Sequence, residues 1–166
     1  MTDHPKPHSL LAKAFHWGFV LVFAYAILKQ VGNVSDLADT ALLRFEVVFA
    51  LGFLGLLAVR FVYMRMTRPP ALPEDTPRPI KLMARAGHLA MYVSLASIAV
   101  SGLLIAAIYS TSGPDSWMME PVLGLHGAAV TASYVTIGLH VAAALFHRLK
   151  GDGIWSAMVP VWTEQK

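Results

Sequence analysis

Apolar and charged residues segregate along this chain into long blocks instead of alternating. Between Ala86 and Tyr109 there is no Asp, Glu, Lys or Arg, and between Pro121 and Phe146 there is none either. Each stretch exceeds the ~20 residues that cross a hydrocarbon core ~30 Å thick at about 1.5 Å per residue. Two further runs, Leu10–Leu28 and Ala41–Met64, are as apolar in the middle and carry charge only near their ends. The pattern predicts an all-α membrane protein: a four-transmembrane-helix bundle with spans at about 10–30, 41–64, 86–109 and 121–147, forming one membrane domain over residues 1–166. Residues 65–85 make the long connection. Its Arg68–Lys81 part holds five prolines and is expected to be a stiff, extended connector, because proline removes a donor and fixes φ.

Composition agrees with this reading. The chain is 56% hydrophobic and 14% charged, where an ordinary soluble domain carries roughly 25% charged residues. The first run has Lys13 and Lys29 at its flanks and no small-residue cleavage pattern, so it reads as a span and not as a signal peptide. Cysteine is absent, which removes disulfides, iron–sulfur clusters and thiol chemistry. The net charge of +3 is read as loop charge that sets topology, not as a nucleic-acid surface. Arg65, Arg68, Arg78, Lys81 and Arg85 fill the middle connection, Arg148 and Lys150 follow the last span, and Lys6 and Lys13 precede or open the first. Asp115 and Glu120 stand in the last connection without a basic partner. The positive-inside rule therefore predicts both termini and the proline-rich loop in the cytoplasm, with Val31–Thr40 and Ser110–Glu120 outside. Trp17, Tyr63, Tyr109, Trp117 and Trp155 fall near the expected interfaces.

Ionisable residues inside a span are expensive and point to function. The candidates are His16, Glu46, His88, His126 and His140, while His4, His8 and His147 are expected at the interfaces. His126 and His140 are fourteen residues apart, so about 21 Å along one helix and about 40° apart around it, which is one face. Such a pair suits two stacked haems, one near each membrane surface; plain helix-packing histidines are the alternative. It cannot serve a single zinc ion, whose ligands must cluster. His16 lies ~9 Å into the first span from the cytoplasmic side, and His140 at a matching depth in the fourth. Imidazoles at equal depth on two helices can hold one b-type haem from opposite sides, leaving no open coordination position; that favours electron transfer over oxygen chemistry. On the outer side the residue that matches His126 in depth is Glu46, a carboxylate.

The chain resembles the bacterial cytochrome b561 family, which includes the cytochrome b subunits of nickel hydrogenases and formate dehydrogenases. The resemblance runs over nearly the whole chain. It is carried by Phe15-His16-Trp17, by Arg60-Phe61 with the later Arg68-Pro69-Pro70, and by Gly87-His88-Leu89-Ala90-Met91-Tyr92 and Ser101-Gly102. His126, Gly138 to His147, Met158 and Pro160 complete it. It implies a di-haem cytochrome of the bacterial inner membrane that exchanges electrons between an outer donor or small oxidant and ubiquinone. By position, one haem b belongs between His16 and His140. The second belongs between His126 and a position that here is Glu46. Either that haem is absent, or His126 holds it alone or with Glu46, or another subunit supplies the ligand. Glu46 is otherwise a charge paired with Arg44. His88 matches a family histidine but lies shallower, which suits a propionate or a quinone carbonyl; an interfacial histidine facing water is its other reading. Arg60, Arg65 and Lys81 suit propionates or simple anchoring. Gly52, Gly55, Gly102, Gly127 and Gly138 allow either porphyrin approach or helix packing. The expected partners are the lipid bilayer, ubiquinone and a larger complex or homodimer. The competing function is a non-catalytic, vestigial membrane subunit that stabilises a respiratory or photosynthetic complex, and a small proton-relay transporter is a third.

Overall fold

The computed structural model describes residues 8–67, 72 and 76–164. Its helices are α1 (Leu10–Leu28), α2 (Thr40–Thr67), α3 (Arg78–Ser112), α4 (Met119–Lys150) and a short α5 (Ile154–Met158), with a single 3₁₀ turn over Val34–Ala38. There is no strand among the described residues. The first four helices are long and apolar enough to cross a membrane. Their ends are written in the sequence. The Ser9 hydroxyl accepts from the Ala12 amide at 3.1 Å, and Asp39 accepts from the Ala41 amide at 2.8 Å, each taking up amides a first turn leaves unpaired. Gly151 ends α4 with φ 68°, a left-handed conformation that a side chain would strain, and its amide returns to the His147 carbonyl.

The proline-rich connector departs from expectation at its far end. α3 begins at Arg78 instead of Ala86, so Arg78, Pro79, Ile80 and Lys81 form its first turn. Proline is tolerated there because first-turn amides have no intrahelical acceptor to lose. Residues 68–71 and 73–75 of the expected connector, and His4 and Lys6 of the N-terminal tail, lie outside the described residues.

Packing follows chain order: α1 leans on α2, α2 on α3, and α3 most extensively on α4. α3 is the inner helix, with 39% of its apolar stretch buried against 11% in each of the others. Phe19, Phe53, Leu57, Leu95 and Ala99 form the central core. An aromatic ladder binds α1 to α2, with Phe19 and Phe53 ring centres 4.9 Å apart and Phe45, Phe49 and Phe53 continuing it. A second cluster, Leu37, Ile105, Ile108 and Met119, folds the first connection over one end of the bundle. α1 and α4 meet differently, through long side chains: Gln30 reaches Tyr134 at 3.4 Å near one end and His16 faces His140 near the other.

At the His16 end, the segment after α4 turns back across the start of α1. The His8 amide donates to the Ala157 carbonyl at 3.1 Å, and Trp17 Nε1 to the Met158 carbonyl at 3.4 Å. The Arg148 guanidinium lies between the rings of Trp155 and Trp162 and donates to the Trp162 carbonyl. His147 Nδ1 donates to Asp152 at 2.7 Å, which anchors the turn into α5. The sequence patterning did not foreshadow this cap, because five residues are too few for helical periodicity to register.

Candidate functional site

Three histidines from three helices meet at one end of the bundle. The His140 ring centre is 6.3 Å from that of His16 and 5.4 Å from that of His88, at interplanar angles of 63° and 75°. Arg60 of α2 joins them, with Nη2 3.0 Å from His16 Nδ1. The depth match between His16 and His140 therefore corresponds to a meeting of their rings. The His88 ring also lies beside His140, although the residue is exposed. Its shallow depth was counted from the last charged residue before the apolar run. α3 begins a further two turns earlier, so the charge boundary does not mark a common height across helices. Arg65 points elsewhere, with its guanidinium 6.0 Å over the Phe61 ring.

His8, expected at the interface, belongs to the rim of this cluster. It is half-buried, and its Nδ1 is a buried atom without a hydrogen-bond partner. Burial, with the positive charges of Lys13 and Arg60, holds its pKa below the ordinary 6.5. Arg60 Nη1 is likewise buried and unpartnered. A buried guanidinium nitrogen without an acceptor is a costly arrangement that an anion would relieve.

The second site residue on α4 stands apart. His126 is held from α3: its Nδ1 lies 3.0 Å from Ser101 Oγ, and Ser101 is fully buried. The Ser101 hydroxyl is 2.5 Å from the Ser97 carbonyl, a separation that places its hydrogen between the two oxygens. His126 Nδ1 is therefore the donor, and the lone pair stays on Nε2. That is the tautomer a metal-ligating imidazole uses, with its other nitrogen anchored by the protein. The alternative reading of His126, a histidine hydrogen-bonded to a neighbouring helix, describes the same contact. Glu46 is half-buried on α2 and forms neither a hydrogen bond nor an ion pair with His126, Arg44 or any other described residue. The expected Arg44 pairing does not form, because consecutive helical turns point residues two apart in different directions.

Among the described residues, no three His, Asp or Glu side chains converge tightly enough to hold a bare metal ion; a b haem would bring its own four nitrogen donors and would need two from the protein. The His16 and His140 ring centres are 6.3 Å apart, so these two imidazoles would be the ones to hold the iron of a b haem, and the unpartnered Arg60 nitrogen would suit a propionate. The glycines add a further point. A Cβ on Gly18, Gly52, Gly55, Gly127 or Gly138 would meet nothing within 4 Å, so these glycines are not spent on close helix packing. Gly102 differs, with His126 Cε1 3.7 Å from its would-be Cβ. The residues present fit the group.

Comparison with known proteins agrees with the geometry. The family model described as prokaryotic cytochrome b561 matches residues 7–161. Cytochrome b561 homolog 2 of Escherichia coli (strain K12) is 31% identical over 110 residues, covering 63% of this chain and 58% of that protein. The match thus spans less than two thirds of the relative's length. No solved structure matches. The chain belongs to the prokaryotic cytochrome b561 family and is a multi-pass protein of the bacterial inner membrane.

Proposed function

We propose that the protein transfers single electrons across or along the membrane between a donor or small oxidant at the outer surface and ubiquinone near the His16–His140 cluster. The observation that carries this reading is the pair of imidazoles 6.3 Å apart from the first and fourth spans. A b haem would supply a one-electron iron couple, and His16 on α1 and His140 on α4 would be the residues that hold it. Arg60 offers an unpaired nitrogen to a propionate, and its positive charge favours the more negative of two redox states. The folded-back segment after α4 lies across the start of α1 beside this cluster. His126, locked by Ser101, presents a lone pair at the other end of α4, about 21 Å away by helical rise.

The orientation that this function needs places both termini and the long connection in the cytoplasm. The site residues are assigned as follows: His16 and His140 as the axial pair, His126 as the protein ligand of a second haem, Arg60 at a propionate, and His88 beside the quinone. A second reading, a haem-poor membrane subunit that stabilises a larger complex or homodimer, is supported by Glu46, which makes no contact with His126. Oxidised and dithionite-reduced spectra of the purified protein, with a pyridine haemochrome count, test the pair of readings. Low-spin b bands that disappear in His140→Ala support the cytochrome. Their absence from the wild-type protein overturns it in favour of the structural subunit.

A further inference from the structure

The segment that follows α5 is irregular, yet its carbonyls are taken up by side chains of the bundle. The Met158 carbonyl accepts from Trp17 Nε1 at 3.4 Å, the Val161 carbonyl from Trp155 Nε1 at 3.1 Å, and the Trp162 carbonyl from the Arg148 guanidinium. The Val159 amide donates to the Trp155 carbonyl at 2.8 Å, and Pro160 has no amide to satisfy. Backbone in water needs no such help, whereas irregular backbone at membrane depth must find its partners within the protein. The side chains of the same segment are turned outward. Val161 is 60% exposed and Trp162 75%, and Trp162 takes φ 52°, a conformation that bulky residues rarely adopt. In that conformation its carbonyl meets Arg148 while its ring stays on the surface.

Depth follows from α1. Its 19 residues rise about 28 Å, close to the ~30 Å of a hydrocarbon core, so its first turn lies at the hydrocarbon boundary. His8, two residues ahead of Leu10, holds Ala157 from outside that boundary. Trp17 is about 10 Å into the helix and reaches Met158 with a side chain that leans back toward the N-terminus. The two anchors bracket the boundary. Arg148 fixes the far end of the segment, two residues past the charge-free run that closes at Phe146. We propose that Pro160–Trp162 is an interfacial anchor, with Val161 and Trp162 seated between the headgroups and acyl chains of the leaflet on the His16 side. The occupant of this face is lipid, because the patch continues the lipid-facing surface of α1 and α4, where Leu10, Leu11 and Leu149 are also exposed. That layer is where indole rings settle, with their apolar body and polar edge.

The chain has no cysteine, so a single introduced thiol can be labelled without further change. The full-length protein, in nanodiscs of phosphatidylcholine and phosphatidylglycerol, carries a nitroxide at Val161→Cys. EPR power saturation reads its collisions with oxygen, which partitions into acyl chains, and with a water-soluble nickel chelate. Leu21→Cys, on the exposed middle of α1, is the acyl-chain reference, and Asp115→Cys, in the last connection, is the aqueous one. The oxygen-to-nickel ratio at Val161→Cys is expected several-fold above that of Asp115→Cys and short of that of Leu21→Cys. A ratio matching either reference overturns the anchor, with the segment then in water or in the acyl core. Low collision with both reagents means that protein, a second copy or another subunit, covers the patch, and overturns it equally. If Val161→Cys does not accumulate, the native indoles decide. In nanodiscs of lipid brominated on the upper acyl chain, Trp162→Phe should remove part of the quenched emission, and quenching unchanged by that substitution refutes the proposal.

Discussion

Ser101 and Ser133 are the two fully buried side chains of this bundle, and they separate two kinds of hydrogen bond. Ser133 Oγ donates only to the Val130 carbonyl of its own helix, at 2.7 Å. Ser101 satisfies its own helix too, but its oxygen also accepts from His126 Nδ1 on α4. Ser133→Ala removes a bond whose acceptor already has a backbone partner, so little stability is lost. Ser101→Ala takes that acceptor away, while the Ile98 carbonyl stays beside the His126 imidazole. Side-chain hydrogen bonds between membrane helices contribute ~0.6 kcal/mol on average and about 1.7 at most. We expect Ser101→Ala to lose about 0.6–1.7 kcal/mol and Ser133→Ala less than about 0.5. Reversible unfolding in mixed detergent micelles, followed by far-UV circular dichroism, measures both. Equal losses in the two variants would refute the cross-helix role of Ser101, and with it the assignment of the His126 tautomer. A double-mutant cycle with His126→Ala isolates the pair, since His126→Ala also removes the ring.

Glu46 is the position where the outer haem pair is broken, so the wild-type chain should carry fewer than two low-spin bis-histidine haems; Glu46→His should raise the low-spin content per chain. Two low-spin haems in the wild type without a partner subunit, by pyridine haemochrome and EPR, would contradict the first statement. Reporter fusions after Lys166 and within the 68–81 connector should report cytoplasm and one at Gly113 the outside; a cytoplasmic Gly113 reverses the topology. Burial works to raise the Asp152 pKa, but the His147 hydrogen bond, the Ile154 amide and Lys150 outweigh it and hold the carboxyl below the ordinary 3.8. A depressed carboxylate stabilises fully above its ordinary pKa and loses that contribution as pH falls through the lowered one. Trp155 and Trp162 fluorescence should therefore show an acid release of the C-terminal cap below about pH 4 that Asp152→Asn lacks.

The four spans were legible because a bilayer imposes one length and one polarity on whatever crosses it. The meeting of His16 and His140 was half legible: helical rise converts residue count into depth, but only packing decides that two rings at one depth share an azimuth. The contact of His88 with His140 was not legible, because charge boundaries mark where polarity changes, not where a helix starts. Ser101 carried a signal, a serine in a span beside Gly102, yet nothing local tells a cross-helix acceptor from a hydroxyl bonded to its own turn. The docking of the α5 segment on the start of α1 left none, since His8 and Trp17 meet Ala157 and Met158 more than a hundred positions away.

The two imidazoles that face each other are made at widely separated times. His16 and His140 are 124 positions apart, so at roughly 5–20 residues per second His16 exists for about 6–25 s before its counterpart is made. During that interval α1 can lean on α2 through Phe19 and Phe53 with no α4 beside it. Assembly of the histidine cluster thus waits for α4, and a truncation before Ile154 should leave the four spans inserted while freeing the start of α1 from Ala157 and Met158.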